Sequence, residues 1–137
     1  MNRTDFQHLA TARLADAKAL FAAECWPGLY YVSGYAVECA LKARIAKQTK
    51  AEDFPDQEIA AKCHTHNLAI LVVLAGLKDN LDTTKLTNPT FAKHWEIAKD
   101  WSEQARYELT PESQARELYQ AIIDPRDGVL TWILIRW

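Results

Sequence analysis

Tyr30-Tyr31-Val32-Ser33-Gly34-Tyr35-Ala36-Val37-Glu38-Cys39-Ala40-Leu41-Lys42-Ala43-Arg44-Ile45-Ala46-Lys47 reads as a helix with almost no polar face over its first half. At helical spacing Tyr30, Val37, Leu41 and Ile45 share one arc, and Tyr31, Tyr35, Glu38 and Lys42 share the adjoining one. The small residues Ser33, Ala36, Ala40 and Ala43 lie behind them. A helix that is apolar nearly all round must be covered on every side, so this one is expected at the centre of a helical bundle. Gly34 and the alanines let neighbouring elements come close.

Working outward toward the amino terminus, Thr4-Asp5-Phe6-Gln7 predicts a capping box and a helix running to about residue 26. Its apolar face holds Phe6, Leu9, Ala10, Leu14, Ala17, Leu20 and Phe21. Arg13 falls in the middle of that face, with its stem expected to pack and its head to reach water or a carboxylate. Pro27-Gly28 reads as the stop, and so short a joint predicts that the two helices form an antiparallel hairpin.

Toward the carboxyl terminus, residues 51–56 are polar and broken by Pro55, which predicts a loop followed by a short helix over 57–62. Thr65 is expected to cap a helix over 68–77; its length and cap favour helix over a buried strand. Residues 78–87 read as a connection. Asn88-Pro89 supplies a cap and a first-turn proline for a short helix carrying Phe91, Trp95 and Ala98 and ending near Trp101. Thr110-Pro111-Glu112 repeats the start signal ahead of Ala115, Leu118, Tyr119 and Ile122. Asp124-Pro125 then interrupts the helix, with Asp124 expected to cap a terminal helix bearing Val129, Trp132, Ile133 and Arg136.

A chain of 137 residues is long enough for one core, so a single domain over 1–137 is expected. Its 49% hydrophobic and 25% charged residues exclude wholesale disorder. The apolar run over 68–77 is too short to cross a bilayer, and residues 1–5 lead straight into an amphipathic pattern, which predicts a cytoplasmic protein that does not engage membranes. Three cysteines, an odd number, widely spaced, read as reduced thiols. A net charge of −2 provides no global attraction to nucleic acid, so such binding needs a local basic patch or a dimer that concentrates one.

Four groups of residues carry candidate chemistry. Glu38 and Lys42 sit one turn apart beside Tyr31 and Tyr35, either as an ion pair that fixes packing or as one wall of a groove. Arg106, flanked by Trp101 and Tyr107 and close to the helix that starts near Pro111, suits bidentate capture of phosphate or carboxylate, or pairing with a nearby acid. Cys63-His64-Thr65-His66 offers metal-ligand atoms without a second pair at finger-like spacing, so no metal is expected there. Lys42, Arg44, Lys47 and Lys50 gather at the end of the central helix, where they complement its dipole or form a nucleic-acid surface. No glycine-rich phosphate loop, nucleophile elbow or H-E-x-x-H pattern occurs.

The stretch over 30–43, then Thr65-His66-Asn67-Leu68, the segment over 101–107, and Asp124-Pro125 with Gly128-Val129-Leu130-Thr131-Trp132-Ile133 together resemble the HEPN family of small prokaryotic helical proteins. The resemblance covers most of the chain in order and spacing. It implies an antiparallel up-down bundle of about five helices with a kinked C-terminal helix, commonly a homodimer. It also implies a setting in toxin–antitoxin or phage-defence systems, often with a nucleotidyltransferase partner protein, and RNA as the target. The family's active members are metal-independent ribonucleases that need no cofactor and use an arginine followed by a histidine, R-x-x-x-x-H.

Arg106 occupies a location like that of the family's arginine, but residues 107–113 hold no histidine. Arg3 and His8 match the formula across a helix start, a chance occurrence. The expected function is accordingly an interaction or regulatory module that binds nucleic acid or a partner through Tyr31, Tyr35, Glu38, Lys42, Arg44 and Lys47. The alternative is a divergent ribonuclease with Arg106 and Tyr107 as catalytic residues at a dimer cleft.

Overall fold

A computed structural model of the chain describes residues 1–48 and 57–137. The described residues form eight α-helices and one 3-10 turn, with no strand among them: α1 Arg3–Ala22, α2 Trp26–Lys47, α3 Gln57–Lys62, α4 Leu68–Leu74, α5 Lys78–Thr87, α6 Pro89–Lys99, the 3-10 turn Glu103–Tyr107, α7 Glu112–Ile123 and α8 Val129–Leu134. The loop expected over 51–56 lies outside the described residues, as does Lys50.

The all-helical bundle is built around α2, as its composition requires. Leu29, Tyr30, Val37, Leu41 and Ile45 are buried, and so are Ser33, Gly34, Ala36, Cys39, Ala40 and Ala43 on the sides where neighbours approach. One apolar cluster joins α2 to Ala10 and Ala17 of α1, Leu68 and Leu71 of α4, Phe91 and Trp95 of α6, Leu118 and Ile122 of α7 and Trp132 and Ile133 of α8. The α1–α2 hairpin is antiparallel. Leu20 meets Gly28 near the joint, Arg13 lies near Cys39 at mid-length, and Arg3 and Lys47 reach the same Trp137 oxygen at the far end. Arg13 pairs with Asp16 at 3.1 Å, so its head meets a carboxylate as expected.

Several boundaries differ from the sequence reading, each for a local reason. Helix α1 is capped by Asn2, whose side chain accepts from the Asp5 amide while Asp5 takes the Asn2 amide; Thr4 and Gln7 are already inside the helix. The chain turns three residues before Pro27-Gly28, at Glu24, whose φ of 57° lies in the left-handed region. Pro27 then opens α2, where a missing N–H costs nothing. Asn67, not Thr65, caps α4. The presumed connection over 78–87 is helix α5, with a single buried residue, Leu81, and a Lys78–Asp82 pair at 2.6 Å on its wet side. Two leucines five positions apart, of which Leu86 is exposed, are too little to show a period.

At the carboxyl end the expected kinked helix is two helices. Asp124 ends α7, and its side chain accepts from the amides of Arg126 and Asp127 to form a turn. Gly128, not Asp124, precedes α8, because a Cβ there would stand 2.4 Å from the Asp124 carbonyl oxygen. Thr110 is buried but does not cap α7; Pro111 holds the N-cap position without a side-chain bond.

The three cysteines are free. Burial raises the Cys39 thiol to about 11, with the neighbouring Glu38 adding to the effect, and burial also raises Cys63, whereas Cys25 is exposed. Since the thiolate is the reactive form, a thiol reagent at neutral pH should modify Cys25 first and Cys39 only after denaturation. Equal labelling rates for the two in the native protein would contradict the burial of Cys39 against α1.

Candidate functional site

The adjoining arc of α2 is the seam along which the chemistry-bearing residues meet. Tyr31 and Tyr35, one turn apart, stack with ring centroids 6.1 Å apart and planes 5° off parallel. Trp101, from the joint between α6 and the 3-10 turn, continues the row at 6.2 Å from Tyr31. The indole lies directly on Gly34, where an added Cβ would stand 2.2 Å from the ring. Glycine is required here for close approach, not for its backbone freedom.

The next turn of the arc carries Glu38, 1% exposed, which α2 and the segment leading into α4 together supply with partners. Its Oε1 accepts from Lys42 Nζ at 2.8 Å and meets His66 Nδ1 at 2.9 Å. Oε2 has no hydrogen-bond partner among the described residues, and neither does the Trp101 indole nitrogen. Lys42 is 15% exposed at its side chain and His66 44%, so the imidazole rests one nitrogen on the buried carboxylate and turns its other edge toward water.

The 3-10 turn closes the other side of the seam. Ser102 caps it through the Gln104 amide. The Glu103 carboxylate is held below the usual range, first by its own backbone amide and to a lesser degree by the nearby His66. One turn further, at a rise of about 6 Å, stands Arg106. Its guanidinium lies over the Tyr107 ring at 4.9 Å. The phenols of Tyr107 and then Tyr31 stabilise its charge and raise its pKa. Tyr107 is 74% exposed even with Arg106 over its ring, an unusual condition for a tyrosine.

Tyr31, Tyr35, Glu38, Lys42, Arg106 and Tyr107 are therefore brought together, while Arg44 and Lys47 are not. Those two lie roughly 150° around α2 from the seam at 3.6 residues per turn. Arg44 donates to the Ala75 and Arg136 carbonyls instead. His66 is the residue that local reading leaves at a helix start. Nothing in its neighbourhood signals the contact, since its partner Glu38 is 28 positions away. Among the described residues no group of three metal-ligating side chains is assembled.

No family model, curated protein or solved structure matches this chain. The chemistry of the site is therefore argued from its own residues. Two hollows lie in the groove between α6 and α7, about 430 Å³ beside Thr90, His94 and Gln120 and about 330 Å³ beside Tyr30, Glu96 and Gln114. Their polar groups do not converge: His94 is bonded to the Asp127 carbonyl, and Glu96 is paired with Lys85 and Lys99. The seam, with its buried half-satisfied carboxylate, has the stronger claim.

Among the described residues no helix is long and apolar enough to cross a membrane.

Proposed function

We propose that this chain is an RNA-directed, HEPN-type helical module that contacts a single RNA strand along the seam from Tyr31 to Arg106. The observation that carries the reading is the exposed Arg106–Tyr107 pair set against the Tyr31, Tyr35 and Trp101 rings. A guanidinium offers phosphate a bidentate fork, and an adjacent open ring face stacks a base of any identity. In this reading α1, α2, α6, α7 and α8 are the up-down core, two copies pair across the seam, and the module works with a nucleotidyltransferase partner in a toxin–antitoxin or phage-defence setting.

The reading predicts that Tyr107→Ala, which removes an exposed ring, leaves stability within about 0.5 kcal/mol of the parent. RNA binding should nevertheless weaken about tenfold, because base stacking on one aromatic is worth about 1–3 kcal/mol. Arg106→Ala should weaken binding at least as much. Anisotropy titration of a short labelled RNA checks both, and unchanged affinity in both variants would refute the seam as the RNA contact.

The His66–Glu38 pair favours a second reading, metal-independent cleavage. With Nδ1–H donated to Glu38, the Nε2 of His66 is free to take the proton from an RNA 2′-hydroxyl. That oxygen attacks phosphorus, the 5′-oxygen leaves and is protonated, and a 2′,3′-cyclic phosphate results, with Arg106 stabilising charge on the phosphoryl oxygens. Incubation of RNA in chelator separates the readings: cleavage lost in both His66→Ala and Arg106→Ala establishes the enzyme, and equal background in all three proteins leaves binding alone.

A further inference from the structure

On the side of α2 away from the seam, four cations converge at one corner. Arg44 donates to the Arg136 carbonyl at 3.0 Å and to the Ala75 carbonyl at 3.3 Å. Lys47 reaches the Arg136 carbonyl and an oxygen of the Trp137 α-carboxylate at 3.5 Å each, and Arg3 donates to the same Trp137 oxygen at 2.6 Å. Arg136 lies with its guanidinium over the Trp132 ring at 4.4 Å and donates to the Trp132 carbonyl. No carboxylate side chain pairs with any of the four among the described residues.

Helix ends explain part of this gathering. The carboxyl ends of α2, α4 and α8 meet here, and each contributes at most about half a negative charge, so three ends offset roughly 1.5 of four positive charges, and the Trp137 α-carboxylate that Arg3 and Lys47 touch offsets about one more. The remainder is a positive patch on a chain whose net charge is −2. Donors also remain unused. A guanidinium carries about five N–H groups; Arg3 and Arg136 each use one of theirs in these bonds and Arg44 uses two. Burial lowers the Arg136 pKa, and the adjacent Arg44 adds to the effect.

We propose that Arg3, Arg44, Lys47 and Arg136 form a second contact, which holds backbone phosphates of a nucleic-acid strand on the face opposite the seam. It shares with the preceding reading only the ligand class. The open fork donors of Arg3 and Arg136 suit phosphate oxygens, and Lys47, exposed and held by long contacts, is free to swing onto an anion.

Because Arg44 also ties α2 to α4 and the C-terminal segment, the test uses Arg3→Ala/Lys47→Ala, with Lys47→Glu as an independent variant. Binding of a short single-stranded RNA is followed by anisotropy between about 50 and 200 mM salt, with Arg106→Ala in parallel. Each phosphate contact in a single strand contributes about 0.7 to the slope of log affinity against log salt, so the double variant should lose about 1.4 from that slope. Lys47→Glu should weaken binding at every salt concentration, whereas Arg106→Ala should leave this contribution in place. An unchanged slope and affinity in both basic-patch variants overturns the inference and leaves the seam reading intact. Loss in these variants with no effect of Arg106→Ala does the reverse. Inorganic phosphate is the remaining arm: if millimolar phosphate saturates the patch while RNA does not compete for it, the ligand is a free anion and the strand contact is overturned.

Discussion

Gly34→Ala is expected to destabilise the protein by about 3 kcal/mol, at the upper end of what overpacking costs. One methyl group is a small change, but its position leaves no alternative. The added Cβ would lie 2.2 Å from three atoms of the Trp101 indole, and Trp101 is 3% exposed, pressed between Gly34 and Tyr31. The ring must leave or α2 must move away from the 3-10 turn. For a chain of this length the loss corresponds to a fall of about 10 °C in melting temperature. A double-mutant cycle isolates the cause. In a Trp101→Ala background, which itself costs about 3–5 kcal/mol, the Gly34→Ala penalty should vanish or change sign, because alanine is the better helix former. An undiminished penalty in that background would show that the ring contact is not its source.

The second large effect is expected at Glu38. Glu38→Ala removes the carboxylate that Lys42 and His66 share, leaving a lysine that is mostly out of water without its counter-charge. Breaking a buried pair from one side costs about 3–5 kcal/mol, several times the worth of the exposed pairs such as Lys62–Glu58. Replacing both members, Glu38→Leu with Lys42→Met, should recover most of the loss in denaturant unfolding, because the desolvation penalty of both ions disappears with their attraction. The recovered protein should still have lost the seam's function, since His66 no longer has an acceptor to orient it. A double variant as unstable as Glu38→Ala would mean that the carboxylate has structural partners beyond Lys42 and His66. Full RNA binding and, if present, cleavage in a stable double variant would remove Glu38 from the site.

These two residues show how far local reading reaches. The stacking of Tyr31 on Tyr35 and the pairing of Glu38 with Lys42 follow from helical spacing alone, because residues three and four apart are neighbours whatever the fold. That something must lie against Gly34 was also legible, but not that it would be Trp101. The caps expected at Thr4 and Thr65 moved two residues, to Asn2 and Asn67, where several polar side chains compete to satisfy the same free amides. The one expected at Asp124 moved four, to Gly128, because Asp124 is spent on the turn. Helix α5 escaped because it buries only Leu81. Arg44 and Lys47 were grouped with the seam by charge and nearness in sequence; the rotation of the helix carries them to the other side.

The amino-acid sequence by itself determined the helical class, the central place of α2 and the arc that carries Tyr31, Tyr35, Glu38 and Lys42, all set by periodicities of one or two turns. Tertiary structure alone decided what faces that arc. The 3-10 turn brings Arg106 to Tyr31, and the start of α4 brings His66 to Glu38 across 28 positions of chain. It also decided that Arg3, Arg44, Lys47 and Arg136 share a corner. Contacts of this kind depend on how the connections return and where helix ends meet, quantities that no window of a few residues contains.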